Sequence, residues 1–583
     1  MLSRRAWAWL AGIILVVEAA ILPWTAHLFD ATVFISHADG FLFMHVQPFH
    51  WWWFGAVSLI VLLLSQVPVL IFPRFASAVP ARIVLLKAPA WFADLGTAAI
   101  VRFASADART ANWWALRYFL DPSVVFVTVL HGQADAIPNL LVVGGLVLTI
   151  LGRYELAAVA FGIGTGTKFY PAAFVPLLLA VTLRRAGFVR TLSALGVFVL
   201  IAAACLVPVF YGRVGPIVSF FAFNSFGPSG ANVSPPSLWH LLPLGVLAPR
   251  WEQLGAVVVP IALALVELRH RAEARDVARA AMFTAMAIVF LNPGAHEPFY
   301  LWIAGPLVLY CAVSNNGLVS LLGLGVSVCG ILIQFCQEGS NEYFIMTFGK
   351  GPSSVLFGCY AHERVLEAVI LGCVLLIVFA SVRWRRPWMT FSAWRWLSYA
   401  ASLVIFALFS TTVFIEMASA KHVGAGPAHY RNYEKALSTI ALAPAVRRTK
   451  NGCTLTYDAP DYVTFAGNAF AAQFVHAHLG YRLFSPEVMT IRGTRIFLHG
   501  RPAIYESVDV QLLNQKGVRI TQEFDVTKLL RPYRVFEQFE EQPCSLIRDN
   551  PLLIYRFDLH AARRFAAQRN LLERLNVFAT TLR

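Results

Sequence analysis

The feature that most constrains this chain is the length of its uncharged apolar runs. From Ala6 to about Phe414 they recur in blocks of roughly 15–25 residues, and about 20 apolar residues in a helix cross a ~30 Å hydrocarbon core. In water each block would need burial against another. With 58% of its residues hydrophobic and 14% charged, a soluble protein of 583 residues would lack the polar surface to cover them. In lipid the backbone must satisfy its own hydrogen bonds, and blocks this long do so as helices. The expected fold is an all-α polytopic membrane bundle of about 13–15 passes, several of them short or broken.

Arg4 and Arg5 precede the first run, Ala6 to about Leu28. That run is longer than the ~7–15 residues of a signal-peptide core, so it reads as a retained helix with a cytoplasmic N-terminus. Basic clusters then order the rest. Arg74, Arg82 and Lys87 follow an expected second span, about Trp52–Phe72; Arg184, Arg185 and Arg190 follow a Lys-Phe-Tyr-Pro corner; further clusters run from Arg269 to Arg279 and from Arg383 to Arg395. With these inside, Asp30–Trp51, His131–Ala136, Arg213–Trp239, Asn292–Pro298 and Cys336–Glu363 fall on the opposite side. The formal net charge of +15 is thereby explained by inner loops against anionic lipid, and no nucleic-acid partner is expected. Between Arg102 and Leu183 the segments are short and are broken by Pro122, Pro138 and Pro171. Broken helices at membrane depth are tolerated where they line a cavity or pack inside protein.

Beyond the last expected span hydropathy falls and charge density rises, which divides the chain into a membrane domain, 1–416, and a soluble extracytoplasmic domain, 417–583. The tail mixes strand-like runs, GVRITQEFDV and PLLIYRFDL, with an Arg-rich helical end, so an α/β or α+β fold is expected. Of eight cysteines, Cys336 and Cys359 bracket one outer loop and Cys453 and Cys544 share the tail; each pair is either a disulfide or two free thiols. The tail carries no Asn-x-Ser/Thr acceptor, and Asn232-Val233-Ser234 precedes Pro235, which fits a bacterial plasma membrane.

Ionisable residues at membrane depth are costly and mark candidate sites. Asp30, just beyond the first helix, can serve as a carboxylate at the outer interface or as a helix cap. His131, Gln133 and Asp135 form a polar knot between two apolar runs, with Gly132 permitting a tight turn; the alternative is a hydrated turn. Lys168 sits between two short apolar segments, suited either to an interfacial phosphate or to snorkelling toward headgroups. The glycines before it do not form a P-loop. Arg213 opens a large outer loop, and His296 lies with Glu297 at a corner between spans. Asp94, inside APAWFADLGTAAIV, must face the bundle interior.

Read in order, these residues resemble the glycosyltransferase C superfamily, in its GPI-mannosyltransferase-like and bacterial mannosyl- or arabinofuranosyl-transferase branch. The resemblance rests on Asp30, Phe34 and Pro48-Phe49; on Lys87 and Ala93-Asp94-Leu95; on Asp121-Pro122; on Gly132-Gln133-Ala134-Asp135; on Lys168-Phe169-Tyr170-Pro171; and on Asn292-Pro293, His296 and Phe299-Tyr300-Leu301-Trp302. It covers roughly residues 1–310 and leaves the tail unmatched. Many members carry Asp-x-Asp in the first loop. Here Leu28 stands two before Asp30, so a single-carboxylate mechanism is implied, and a divalent metal has no clear ligand set.

The resemblance implies inverting transfer of a sugar, mannose first among the hexoses and pentoses, from a polyprenyl-phosphate donor to an extracytoplasmic glycan or glycolipid acceptor. Asp30 would be the base, Lys168 and Arg213 would hold the phosphate, and His131, Gln133, Asp135 and His296 would line the sugar or acceptor pocket. Membrane lipids are the other expected partners. Two rivals remain: a lipid-linked-sugar flippase or other transporter, which broken helices and buried charges would also serve, and a non-catalytic scaffold with an outer interaction domain.

Overall fold

A computed structural model describes residues 3–26, 34, 38, 55–72, 79–210, 258–266, 273–291, 299–338, 363–382 and 392–422, together with five strands between 445 and 524. The membrane part is a bundle of helices. They are α1 (Arg4–Ile21), α2 (Ala56–Ile71), α3 (Val79–Ala104), α4 (Ala111–Phe119), α5 (Pro122–His131), α6 (Ala136–Ile150), α7 (Tyr154–Thr165), α8 (Val175–Phe210), α9 (258–266), α10 (Ala274–Phe290), α11 (Phe299–Ser314), α12 (Gly317–Glu338), α13 (Glu363–Val382) and α14 (Ser392–His422). Among the described residues, four apolar helical stretches are long enough to cross a bilayer, and seven shorter apolar helices accompany them. The chain is a multi-pass integral membrane protein.

The two ends of the bundle differ. At one end Trp7, Trp113 and Trp396 make edge-on contacts from the starts of α1, α4 and α14. Indole rings favour the membrane–water boundary, and basic residues share this end. Arg395 donates to Asn315 (2.5 Å), Arg190 pairs with Glu155 (2.6 Å), and Arg185 donates to the carbonyl of Ile150 (2.9 Å). This is the end where the positive-inside pattern places the Arg184–Arg190 and Arg383–Arg395 clusters.

Breaks in the helices are built from specific residues. Between α4 and α5, Pro122 cannot donate to the preceding turn, and Asp121 caps the new helix by accepting from the backbone N–H (3.0 Å) and hydroxyl (2.6 Å) of Ser123. The other Asp121 oxygen pairs with buried Arg117 at 2.6 Å, which compensates a guanidinium that lipid could not solvate. Together α4 and α5 make one broken crossing, as the short proline-interrupted sequence led us to expect. In α8, Gly187 has φ 83°, a conformation open to glycine, and the two arms cross in opposite directions. Glu155 meets Arg190 at one end of the second arm, and Gly166 lies against Cys205 near the other.

One expectation fails. The run read as a second span does not cross the bundle. α2 starts against the loop before Lys168, with Val57 N–H donating to the carbonyl of Gly166 (3.2 Å). α3 then enters from the same end. Lys87, expected on the basic side, is fully buried at the opposite end, where its ammonium donates to the carbonyls of Thr25, Val129 (2.6 Å) and Leu22 (3.3 Å). Its charge is spent tying the end of α1 to α5, so it is no loop charge. Arg82 is buried as well.

In the tail the strands β1 (Ala445–Thr449), β2 (Gly452–Tyr457), β3 (Met489–Leu498), β4 (Ile504–Leu513) and β5 (Arg519–Phe524) form an antiparallel meander in sequence order. β5 falls within the GVRITQEFDV run. PLLIYRFDL and the Arg-rich end lie outside the described residues, as do Cys359 and Cys544 and the side chains of Cys336 and Cys453. Cys205, Cys311, Cys329 and Cys373, all inside helices, are free thiols.

Candidate functional site

The end of the bundle opposite the basic cluster holds a polar site, assembled where α5 stops. Residues Val125–His131 widen into a π-helix, a form common at functional sites, and Gly132 ends it with φ 83°. The N–H groups of Gly132 (2.9 Å) and Gln133 (3.1 Å) both donate to the carbonyl of Val127. Under this turn lies the aliphatic chain of Lys87; a Cβ at residue 132 would come within 2.8 Å of its Cε. Glycine is therefore required twice, by conformation and by space.

The turn delivers His131, Gln133 and Asp135 to Lys168, which arrives from the loop between α7 and α8. Lys168 Nζ lies 2.6 Å from Asp135 Oδ2 and 3.3 Å from Gln133 Oε1. Gln133 Nε2 is 3.0 Å from His131 Nε2. The second Asp135 oxygen accepts from the indole Nε1 of Trp302 on α11, at 2.8 Å. Asp135 is wholly buried and bonded on both oxygens, so it is poorly placed to take a proton from a substrate. Lys168 retains 16% side-chain exposure, and this decides which member of the pair can meet a ligand.

That exposure opens into a cavity. Its lining is mostly apolar, with Val61 and Leu62 of α2 and Leu86 and Pro89 of α3, and it carries Ser58 and Ser65 of α2 as well as Gln133, Asp135, Thr167 and Lys168. Such a cavity fits an amphiphile whose polar head meets Lys168 and whose apolar part lies against α2 and α3.

A second polar group sits deeper. Asp94 is 1% exposed and accepts from the hydroxyls of Tyr118 (2.7 Å) and Thr128 (2.6 Å), while Asn139 Nδ2 donates to the Tyr118 oxygen (2.8 Å). Thr128 belongs to the π-helix and Asn139 lies one turn along α6 from Asp135, so the network buttresses both elements that carry the site. Asp94 faces the interior as its apolar surroundings required. Glu18 was not singled out from sequence. It is buried, and accepts from Trp91 Nε1 at 2.6 Å.

Four of the seven candidate residues, His131, Gln133, Asp135 and Lys168, thus converge although up to 37 residues separate them in the chain. Asp30, Arg213 and His296 lie outside the described residues. Sequence reasoning overlooked the individual part of Trp302 and the wall from α2. A tryptophan in an aromatic-rich apolar run carries no mark of its hydrogen-bond partner. Among the described residues no three His, Cys, Asp or Glu side chains converge to hold a metal ion.

No family model matches the chain, and no curated protein does. Among solved structures, the crystal structure of ArnT from Cupriavidus metallidurans bound to undecaprenyl phosphate is similar, at 16% identity over 74% of this chain and 80% of that one, with a TM-score of 0.42. A likeness at that score carries no argument about the chemistry of this chain.

Proposed function

We propose that the protein is a membrane glycosyltransferase of the glycosyltransferase C type, moving a sugar, mannose foremost, from a polyprenyl-phosphate donor to an extracytoplasmic glycan or glycolipid. In this reading it resides in a bacterial plasma membrane, with the basic end of the bundle cytoplasmic and residues 417–583 forming an extracytoplasmic domain. The observation that carries the reading is Lys168, a partly exposed ammonium in a cavity whose lining is mostly apolar. An isoprenoid phosphate has the same two-part chemistry. The order of sequence elements shared with the superfamily supports the same assignment.

The reaction requires little of the protein beyond placement and charge. An acceptor hydroxyl attacks the anomeric carbon, the bond from that carbon to the phosphate oxygen breaks, and polyprenyl phosphate departs with one more negative charge. Lys168 would stabilise that charge, with Arg213 as a second cation. Asp30 would take the hydroxyl proton as general base. Asp135, held on both oxygens, would contribute by fixing Lys168, with His131, Gln133 and His296 nearer the sugar or acceptor.

The test is transfer of radiolabelled mannose from polyprenyl phosphate in proteoliposomes supplied with membrane acceptor. Label should appear in a covalent product, and Lys168→Met should lower kcat/KM about 10²-fold. Lipid movement without a covalent product would favour a flippase, and full turnover by Asp30→Asn would remove Asp30 from its role.

A further inference from the structure

An aromatic residue beside a sugar site is commonly a stacking platform, and Trp302 is built for something else. Tyr170 stacks on its ring with centroids 4.0 Å apart and planes 10° apart, and Phe299 stacks at 3.8 Å and 21°. Trp302 is 6% exposed, so no ligand ring gains a face. What the residue does offer is its indole N–H, aimed by those stacks at Asp135 Oδ1 at 2.8 Å. Asp135 then has one oxygen fixed by a neutral donor and the other, Oδ2, 2.6 Å from Lys168 Nζ.

Lys168 has a four-carbon stem with many rotamers. A single carboxylate free to turn about its own Cβ–Cγ bond would hold the ammonium only loosely. The Trp302 N–H removes that freedom, because rotating the carboxylate would break a bond to a rigid, stacked donor. The lysine's position beside the cavity is thus set from α11, 134 residues further along the chain. Resting on the phosphate-binding reading of Lys168, we propose that Trp302 is a positioning residue: its indole N–H locks the Asp135 carboxylate, which holds the Lys168 ammonium where a lipid phosphate must meet it.

Trp302→Phe keeps an aromatic ring between Tyr170 and Phe299 and deletes the N–H with the second ring of the indole, leaving a phenyl face toward Lys168 Nζ, which lies 5.9 Å from the indole centroid. Binding of undecaprenyl phosphate to the full-length protein in nanodiscs, read by native mass spectrometry, should weaken about tenfold in this variant, the size expected for loss of a charge-assisted hydrogen bond. The same substitution added to Lys168→Met should weaken binding no further, since Trp302 acts only through the lysine. Asp135→Asn, a second route to the same loss should the first variant not fold, should behave alike in both backgrounds. Equal affinity of Trp302→Phe and the parent, or losses that add in the Lys168→Met background, would overturn the positioning role while the phosphate reading stands. Unchanged binding in Lys168→Met alone would overturn both.

Discussion

Replacing Asp94 by alanine tests whether the network under the site is held by its carboxylate. The residue is 1% exposed and receives two hydroxyls, from Tyr118 at 2.7 Å and Thr128 at 2.6 Å. Removal leaves both without their acceptor, and an orphaned buried donor costs about 1–3 kcal/mol. The two losses differ. Thr128 can turn its hydroxyl back toward a carbonyl of its own helix. Tyr118 is fully buried and its oxygen already accepts from Asn139, so the Thr97 hydroxyl, a weaker acceptor than a carboxylate, is what its proton can turn to. Relief of the carboxyl group's own burial offsets part of the sum, leaving an expected loss of about 2–4 kcal/mol for Asp94→Ala. Asp94→Asn keeps the shape and one acceptor oxygen, and its amide can donate to the Thr128 oxygen, so about 1 kcal/mol is expected. Equilibrium unfolding by dodecyl sulfate in mixed micelles, followed by helical circular dichroism, measures both against the parent. The order should be parent, Asn, Ala. Alanine as stable as asparagine, or both within about 0.5 kcal/mol of the parent, would refute the reasoning.

Other outcomes follow from close packing and from the two ends of the bundle. Gly305→Ala would press a methyl group to within 2.7 Å of Val143 Cγ2 and onto the Asn139 amide, separating α11 from α6; a loss of about 1–3 kcal/mol should show in the same unfolding titration. Gly55→Ala would drive a Cβ into the backbone carbonyl of Gly166, shifting α2 from the loop that bears Lys168, and should raise KM for the lipid donor without abolishing turnover. Arg190→Ala breaks only an exposed pair with Glu155 at the basic end and should leave transfer rates unchanged and stability within about 1 kcal/mol.

Much of the site was legible because charge in an apolar sequence has few places to go. Asp94 had to point inward, and the knot at His131–Asp135 and the lysine at 168 were too polar to face lipid, so their meeting is physically natural. Pro122 and Gly132 announced breaks that occur where those residues stand. What stayed hidden depends on partners distant in sequence. Hydropathy cannot tell a helix that crosses lipid from one that covers a cavity, which is why α2 misled. A basic residue counts toward orientation only if it stands in a loop, and Lys87 is instead held by backbone carbonyls. Trp302 reads as one more apolar residue until its N–H is seen to meet Asp135.

The central claim concerns where the donor phosphate sits, and the most direct measurement is an electron cryo-microscopy structure of the full-length protein with polyprenyl phosphate bound. The account predicts a phosphate oxygen within about 3 Å of Lys168 Nζ, with the isoprenoid chain against α2 and α3. A phosphate more than about 8 Å from Lys168, or a chain lodged elsewhere on the bundle, would contradict it.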